Sequence, residues 1–121
     1  MSFIIYRREW VVRAEHGKIE GPFAIEEDIA LYGMIAGDAT LRRGVRFILH
    51  GTIAGNLTIE PGARAILHGI IEGRLYNKGG RAELFGIVGT VENLDRHAET
   101  IIDASASVRG GRPRSTWRYE A

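Results

Sequence analysis

The chain has 121 residues, with 16 basic against 15 acidic side chains, 45% apolar residues and no cysteine. This composition describes one ordinary soluble domain and excludes a disulfide framework, a cysteine metal site and a thiol nucleophile. No apolar run approaches the roughly 20 residues of a membrane helix, and a formal charge of +1 argues against bulk binding to nucleic acid or to a membrane surface. The departure from the ordinary is glycine: 16 residues, about 13% against a usual ~7%.

The N-terminal stretch, 1–15, carries two strand-like runs, Phe3–Tyr6 and Trp10–Val12, with Arg7, Arg8 and Glu9 between them. It is expected to pair with or cap the first of the repeats that begin at His16. From His16 the chain repeats itself: HGKIEGPFAI, YGMIAGDATL from Tyr32, HGTIAGNLTI from His50 and HGIIEGRLYN from His68 superpose, and FGIVGTVEN from Phe85 fits with one residue dropped. A period near 18 is too short for helical-hairpin repeats and indicates a solenoid. Within a copy, apolar residues alternate. Leu49, Ile53, Leu57 and Ile59 share one parity, and His50, Thr52, Asn56 and Thr58 the other, which is strand patterning with one buried face.

Stacking the copies yields columns: Ile19, Ile35, Ile53, Ile71 and Val88; Phe23, Ala39, Leu57, Leu75 and Val91; Leu31, Leu49, Leu67 and Phe85. Glycine makes two columns of its own, Gly17, Gly33, Gly51, Gly69 and Gly86, then Gly21, Gly37, Gly55, Gly73 and Gly89. A narrow tube leaves little room for a side chain at such places, and tight turns need positive φ. Gly44, Gly62 and Gly80 mark a further corner, with Pro61 before Gly62 as in a type II turn. The predicted fold is all-β: a single-stranded parallel β-helix of about 5–6 coils of 16–18 residues, with three short strands and three corners per coil. The domain spans 16–108. Its regular pattern lapses over 92–100 (ENLDRHAET), read as a loop or helical turn inserted in the last coil. IDASASV from Ile102 is a partial further copy. Residues 109–121 form a basic tail, disordered or folded back through Trp117 and Tyr119.

The phrases LHGTIAGNLTIEPGARAILHGIIEGRL and GGRAELFGIVGTV resemble bactofilin repeats over roughly 16–91. That resemblance implies a right-handed parallel β-helix and a bacterial cytoskeletal protein that polymerises end to end without nucleotide. Hexapeptide acyltransferases, whose helix is left-handed, are the other comparison, because Ile29, Ile35, Leu41, Phe47, Ile53, Ile59, Ala65 and Ile71 recur every six residues. The paired glycines and the shorter 16- and 17-residue coils favour the right-handed form. No loop histidine or trimer cleft marks acyl transfer, which leaves an acyltransferase fragment as a remote alternative.

His16, His50 and His68 share an outward column with Tyr32. Two imidazoles one rung apart are candidates for a shared metal, but no carboxylate column flanks them, and a ring ladder is the expected role. His97 has no visible nucleophile or orienting partner. Asn77 and Asn93 replace aliphatics in the column of Ile25, Leu41 and Ile59 and are expected to satisfy each other's amides. Asn56-Leu57-Thr58 matches a glycosylation sequon that lacks an export signal, and Gly110-Gly111-Arg112 lacks the strand and helix of a phosphate loop.

Charge is segregated. Glu15, Glu20, Glu26, Glu27 and Asp28 crowd one end, Glu83, Glu92, Asp95, Glu99 and Asp103 the other, and Arg42, Arg43, Arg46, Arg64, Arg74 and Arg81 form a basic waist. Together with His50 and His68, these arginines are the candidate partner-binding residues, fitted to an acidic protein; nucleic acid fits less well because no aromatics interleave with them. Like-charged ends disfavour edge-to-edge growth. The reading is therefore a non-enzymatic, cofactor-free, cytoplasmic binding module, such as an immunity or antitoxin-type partner of another protein. The alternative is a bactofilin-like scaffold that self-associates.

Overall fold

The computed structural model describes residues 2–7, 10–111 and 114–115, and side chains over 12–111. The expectation that Trp117 and Tyr119 fold back onto the solenoid lies outside the described residues. All described regular structure is strand, with no helix among the described residues. Strand β1 (Ser2–Arg7) is followed by β2 (Trp10–Glu15), β3 (Lys18–Glu20) and β4 (Phe23–Ile25). Three strands again make the next coil, β5 (Ile29–Leu31), β6 (Met34–Ala36) and β7 (Ala39–Leu41), and the one after it, β8 (Arg46–Leu49), β9 (Thr52–Ile53) and β10 (Leu57–Ile59). Then β11 (Arg64–Leu67) precedes the long β12 (Ile70–Asn77), and β13 (Arg81–Leu84) precedes β14 (Ile87–Asn93). The last coil holds β15 (Glu99–Ile102), β16 (Ser107–Val108) and β17 (Arg114–Ser115).

Parallel pairing sorts these strands into three faces of a solenoid of about five turns. The first face is β2-β5-β8-β11-β13-β15, extended at its start by β1, which pairs antiparallel with β2. The second face is β3, β6, β9 and the first halves of β12 and β14, followed by β16; the third is β4, β7, β10 and their second halves, followed by β17. β12 and β14 bend across the corner between two faces, where their register shifts between Ile71 and Arg74.

The aliphatic columns form as the alternation requires. Ile35, Ile53, Ile71 and Val88 stack in register, as do Ala39, Leu57, Leu75 and Val91, and all are buried. The third column runs through Leu84, not Phe85: Leu31, Leu49, Leu67, Leu84 and Ile102 pair in register. The coil there is one residue short, which turns Phe85 outward onto the ring column. Each buried Ile, Leu or Val contributes about 1.5–3 kcal/mol relative to exposure.

Hydrogen bonds at one corner explain the first glycine column. The amides of His50 and Gly51 both donate to the carbonyl of Leu31, at 2.8 and 2.9 Å, and those of His68 and Gly69 to that of Leu49, at the same distances. The glycine carbonyl is then aimed at the coil above, where Gly33 O accepts from Thr52 N at 3.0 Å and Gly51 O from Ile70 N at 3.0 Å. A Cβ on Gly51 would lie 1.8 Å from Gly33 O, and one on Gly69 2.0 Å from Gly51 O. Glycine is required by close approach, not by φ. At the corner between the third and first faces the reason is the reverse: Gly44 (φ +76°) and Gly62 (φ +81°) close turns in which Val45 N donates to Arg42 O and Ala63 N to Glu60 O. In the following coil the positive φ falls on Gly79, while Gly80 is pressed against Ile59.

Asn77 and Asn93 do not bond amide to amide. Asn77 is fully buried; its Oδ1 accepts from the amides of Gly79 and Gly80, and its Nδ2 donates to Thr100 Oγ1 at 3.0 Å and to Glu99 O. The Thr100 hydroxyl then donates to Asn93 Oδ1 at 2.8 Å. A threonine from the last coil bridges the pair because it occupies the inward position between them. Over 94–98 the chain makes a turn, with Ala98 N donating to Asp95 O; the His97 amide, then its ring, hold the Asp95 carboxyl below the usual carboxylate range.

These two glycine roles separate experimentally. Gly51→Ala is expected to cost about 3 kcal/mol or more through overpacking, and Gly44→Ala, with nothing within 4 Å of its new methyl, about 1–2 kcal/mol through its backbone conformation alone. Urea denaturation midpoints check this. Equal costs would contradict the close-approach explanation.

Candidate functional site

The outer surface of the first face carries most of the candidate residues, in columns set by strand alternation. Arg46, Arg64 and Arg81 occupy consecutive register positions on β8, β11 and β13. The ladder is bracketed by acids. Below it, Asp28 accepts from Arg46 N at 2.8 Å and faces its guanidinium at 3.3 Å; above it, Glu99 pairs with Arg81 at 2.7 Å. Arg64, in the middle, is exposed, and no carboxylate among the described residues lies within ion-pair distance of it. Like charges stacked on neighbouring strands are unfavourable, so the bracket stabilises the outer two and leaves the central cation available.

Two positions along each strand lies a column that sequence reasoning misses: Ala30, Ile48 and Ile66 in register, with Glu83 and Ile101 beyond. Val12, Ala30 and Ile48 are buried and form a cluster separate from the main core, with Ile66 packed against it. The signal that could have found it is the repeated Arg-x-Ile-Leu of residues 46–49 and 64–67, whose isoleucines fall on the outward parity.

At the far edge of this face stands the ring ladder. His16, Tyr32, His50, His68 and Phe85 stack with centroid separations of 5.0, 4.5, 5.2 and 4.9 Å and interplanar angles of 5–16°. Each ring precedes a glycine of the close-approach column, so the same backbone contact that requires glycine sets the stacking distance. Stacked imidazoles hold their nitrogen lone pairs in parallel planes, whereas a shared metal needs them convergent. The pair is therefore built for stacking.

The remaining candidates sit apart. Arg42 and Arg43 lie in the turn before β8, where Arg42 faces Glu60 at 3.4 Å and the Arg43 amide donates to the same carboxylate. Along that corner Glu26, Arg42, Glu60 and Lys78 alternate in sign around an open groove. Arg74 is on β12 at the opposite corner, with its guanidinium near Tyr76 and Glu92. It does not join the basic face. Its amide donates to Asn56 Oδ1, as the Asn56 amide does to the Asp38 carboxylate, which gives the sequon asparagine a structural task. His97 pairs with Asp95 in an exposed turn at 3.0 Å.

No protein-family model matches the chain, and no curated protein or solved structure does either. No helix among the described residues is long and apolar enough to cross a membrane.

The ring ladder is open to test. His50→Ala removes two stacked contacts and is expected to cost about 1–3 kcal/mol, at about 0.5–1.5 kcal/mol for each contact, while His50→Phe retains them. Thermal unfolding at neutral pH compares the two. Equal losses would show that stacking is not what the column supplies.

Proposed function

We propose that the chain is a non-enzymatic β-helical binding module whose first face receives an acidic protein partner, the kind of contact an immunity protein or antitoxin makes with its target. The observation that carries this reading is the arginine ladder, in register across three strands, with its outer members ion-paired and Arg64 uncommitted. A rigid face presents that cation at fixed spacing beside Ile66, so charge and apolar contact are offered together. Interfaces gain orientation and association rate from such complementarity.

The bactofilin resemblance supports a second reading, a self-assembling scaffold. What favours it is the last coil, where Ile102, Ala106 and Val108 pack on the core while only partly buried. Against it stands the first coil. There, Arg13 and Glu15 hold the register positions that Ile29 and Leu31 hold in the next coil, and they pair at 2.7 Å, with Arg13 also bonded to Glu27. The Arg13 guanidinium, helped by the Gly17 amide, holds the Glu15 carboxyl below the usual carboxylate range. Charges facing inward at an end oppose stacking of another copy there.

Arg46→Glu combined with Arg64→Glu tests the binder. On immobilised protein, the acidic proteins retained by the parent chain should fall about tenfold in the variant, while its circular dichroism spectrum stays unchanged. Undiminished retention by a folded variant would show that the first face is not the contact surface.

A further inference from the structure

The start of the solenoid is stepped. β1 adds a strand beyond β2 on the first face only, whereas β3 and β4 are terminal in their sheet. β4 gives its bonds to β7 on one side: Phe23 N donates to Asp38 O at 2.9 Å and Arg42 N donates to Ile25 O at 3.1 Å. Strand alternation turns the amide and carbonyl of Ala24 the other way, toward the open end. Beneath that edge is a cavity of about 240 Å³ walled by Phe23, Ala24, Ile25 and Ile29. Ile25 and Ile29 are core residues, so the cavity opens directly onto the end of the aliphatic stack.

The rim of the cavity is charged. Arg13 is committed to Glu15 and Glu27. Glu26 is exposed and has no ion-pair partner among the described residues. Of the two carboxylates on the rim, Glu27 is held by Arg13, and Glu26 is the one left to meet a cation. The volume is below the 300–1,000 Å³ of pockets for drug-sized ligands and suits a single aliphatic side chain.

The geometry points to a second docking site, separate from the arginine face: an extended basic-aliphatic segment of a partner adds as a strand to the edge of β4, seats one aliphatic side chain in the cavity, and pairs a lysine or arginine with Glu26. Three features converge here: an edge that no described strand pairs with, an apolar hole, and a carboxylate with no ion-pair partner among the described residues. Strand addition supplies affinity through main-chain bonds and specificity through side-chain pockets. The occupant differs in sign from that of the first face, so the two sites read different chemistries.

A blocked pentapeptide, Lys-Val-Leu-Val-Lys, titrated into the isotopically labelled full chain, should produce saturable amide shifts confined to 23–29. Replacing its leucine by alanine, or its lysines by glutamates, should weaken binding about tenfold and at least about threefold, respectively. Ala24→Pro removes the outward amide without touching a bond to β7 and should abolish the shifts. Glu26→Lys, on an exposed side chain, should weaken them even if the proline variant folds poorly. Absence of saturable shifts, shifts along Arg46, Arg64 and Arg81 instead, or equal binding of the acidic peptide would overturn the site.

Discussion

The contact on which this structure depends is the approach of one glycine carbonyl to the glycine of the next coil. At 1.8–2.0 Å from a hypothetical Cβ, the carbonyls of Gly17, Gly33, Gly51 and Gly69 leave no space for any side chain. That approach brings consecutive coils to hydrogen-bonding distance at the corner between the first and second faces. It also places the preceding ring residues 4.5–5.2 Å apart. A single backbone constraint thus fixes the coil spacing, the ring ladder and the register of the aliphatic core, and the outer columns inherit that register.

Inherited register is what gives the first face its chemistry. Arg46, Arg64 and Arg81 stand in line because the residues beside them, Phe47, Ala65 and Ala82, must stack inside. Three cations in a row raise a repulsion that, among the described residues, is answered only at the two ends, through Asp28 and Glu99. The centre is left unanswered. At the start of the solenoid, Arg13 and Glu15 take the register positions that Ile29 and Leu31 hold in the next coil, while a narrow apolar opening remains beside Glu26. Sides and end therefore carry different charge, which is what the proposed reading as a binder of other proteins rests on.

Much of this is legible in the residues. Glycine periodicity with alternating aliphatics is enough to specify a parallel solenoid and its inward columns, since a narrow core admits only that parity. Phe85 is misplaced by the sequence pattern because the shortened coil can be aligned in two ways, and only the pairing of Leu67 with Leu84 decides between them. The bridging of Asn77 and Asn93 by Thr100 is hidden, since Thr100 falls in the 92–100 stretch where the repeat pattern lapses, and only its pairing with Ala82 shows that it faces inward. Arg74 looks like part of the waist because sequence proximity to one coil does not say which face of that coil a residue occupies. The bracketing acids and the opening at Phe23 require the third dimension.

On the proposed reading, a solenoid that acts through its outer surfaces, and whose first coil resists the stacking of another copy, is a discrete particle in solution. Sedimentation velocity over a hundredfold range of concentration, at low and at physiological salt, tests this most directly. A 13.4 kDa chain of this kind gives one sharp boundary of a monomer or a dimer throughout. Filaments, or a broad size distribution that grows with concentration, would contradict it.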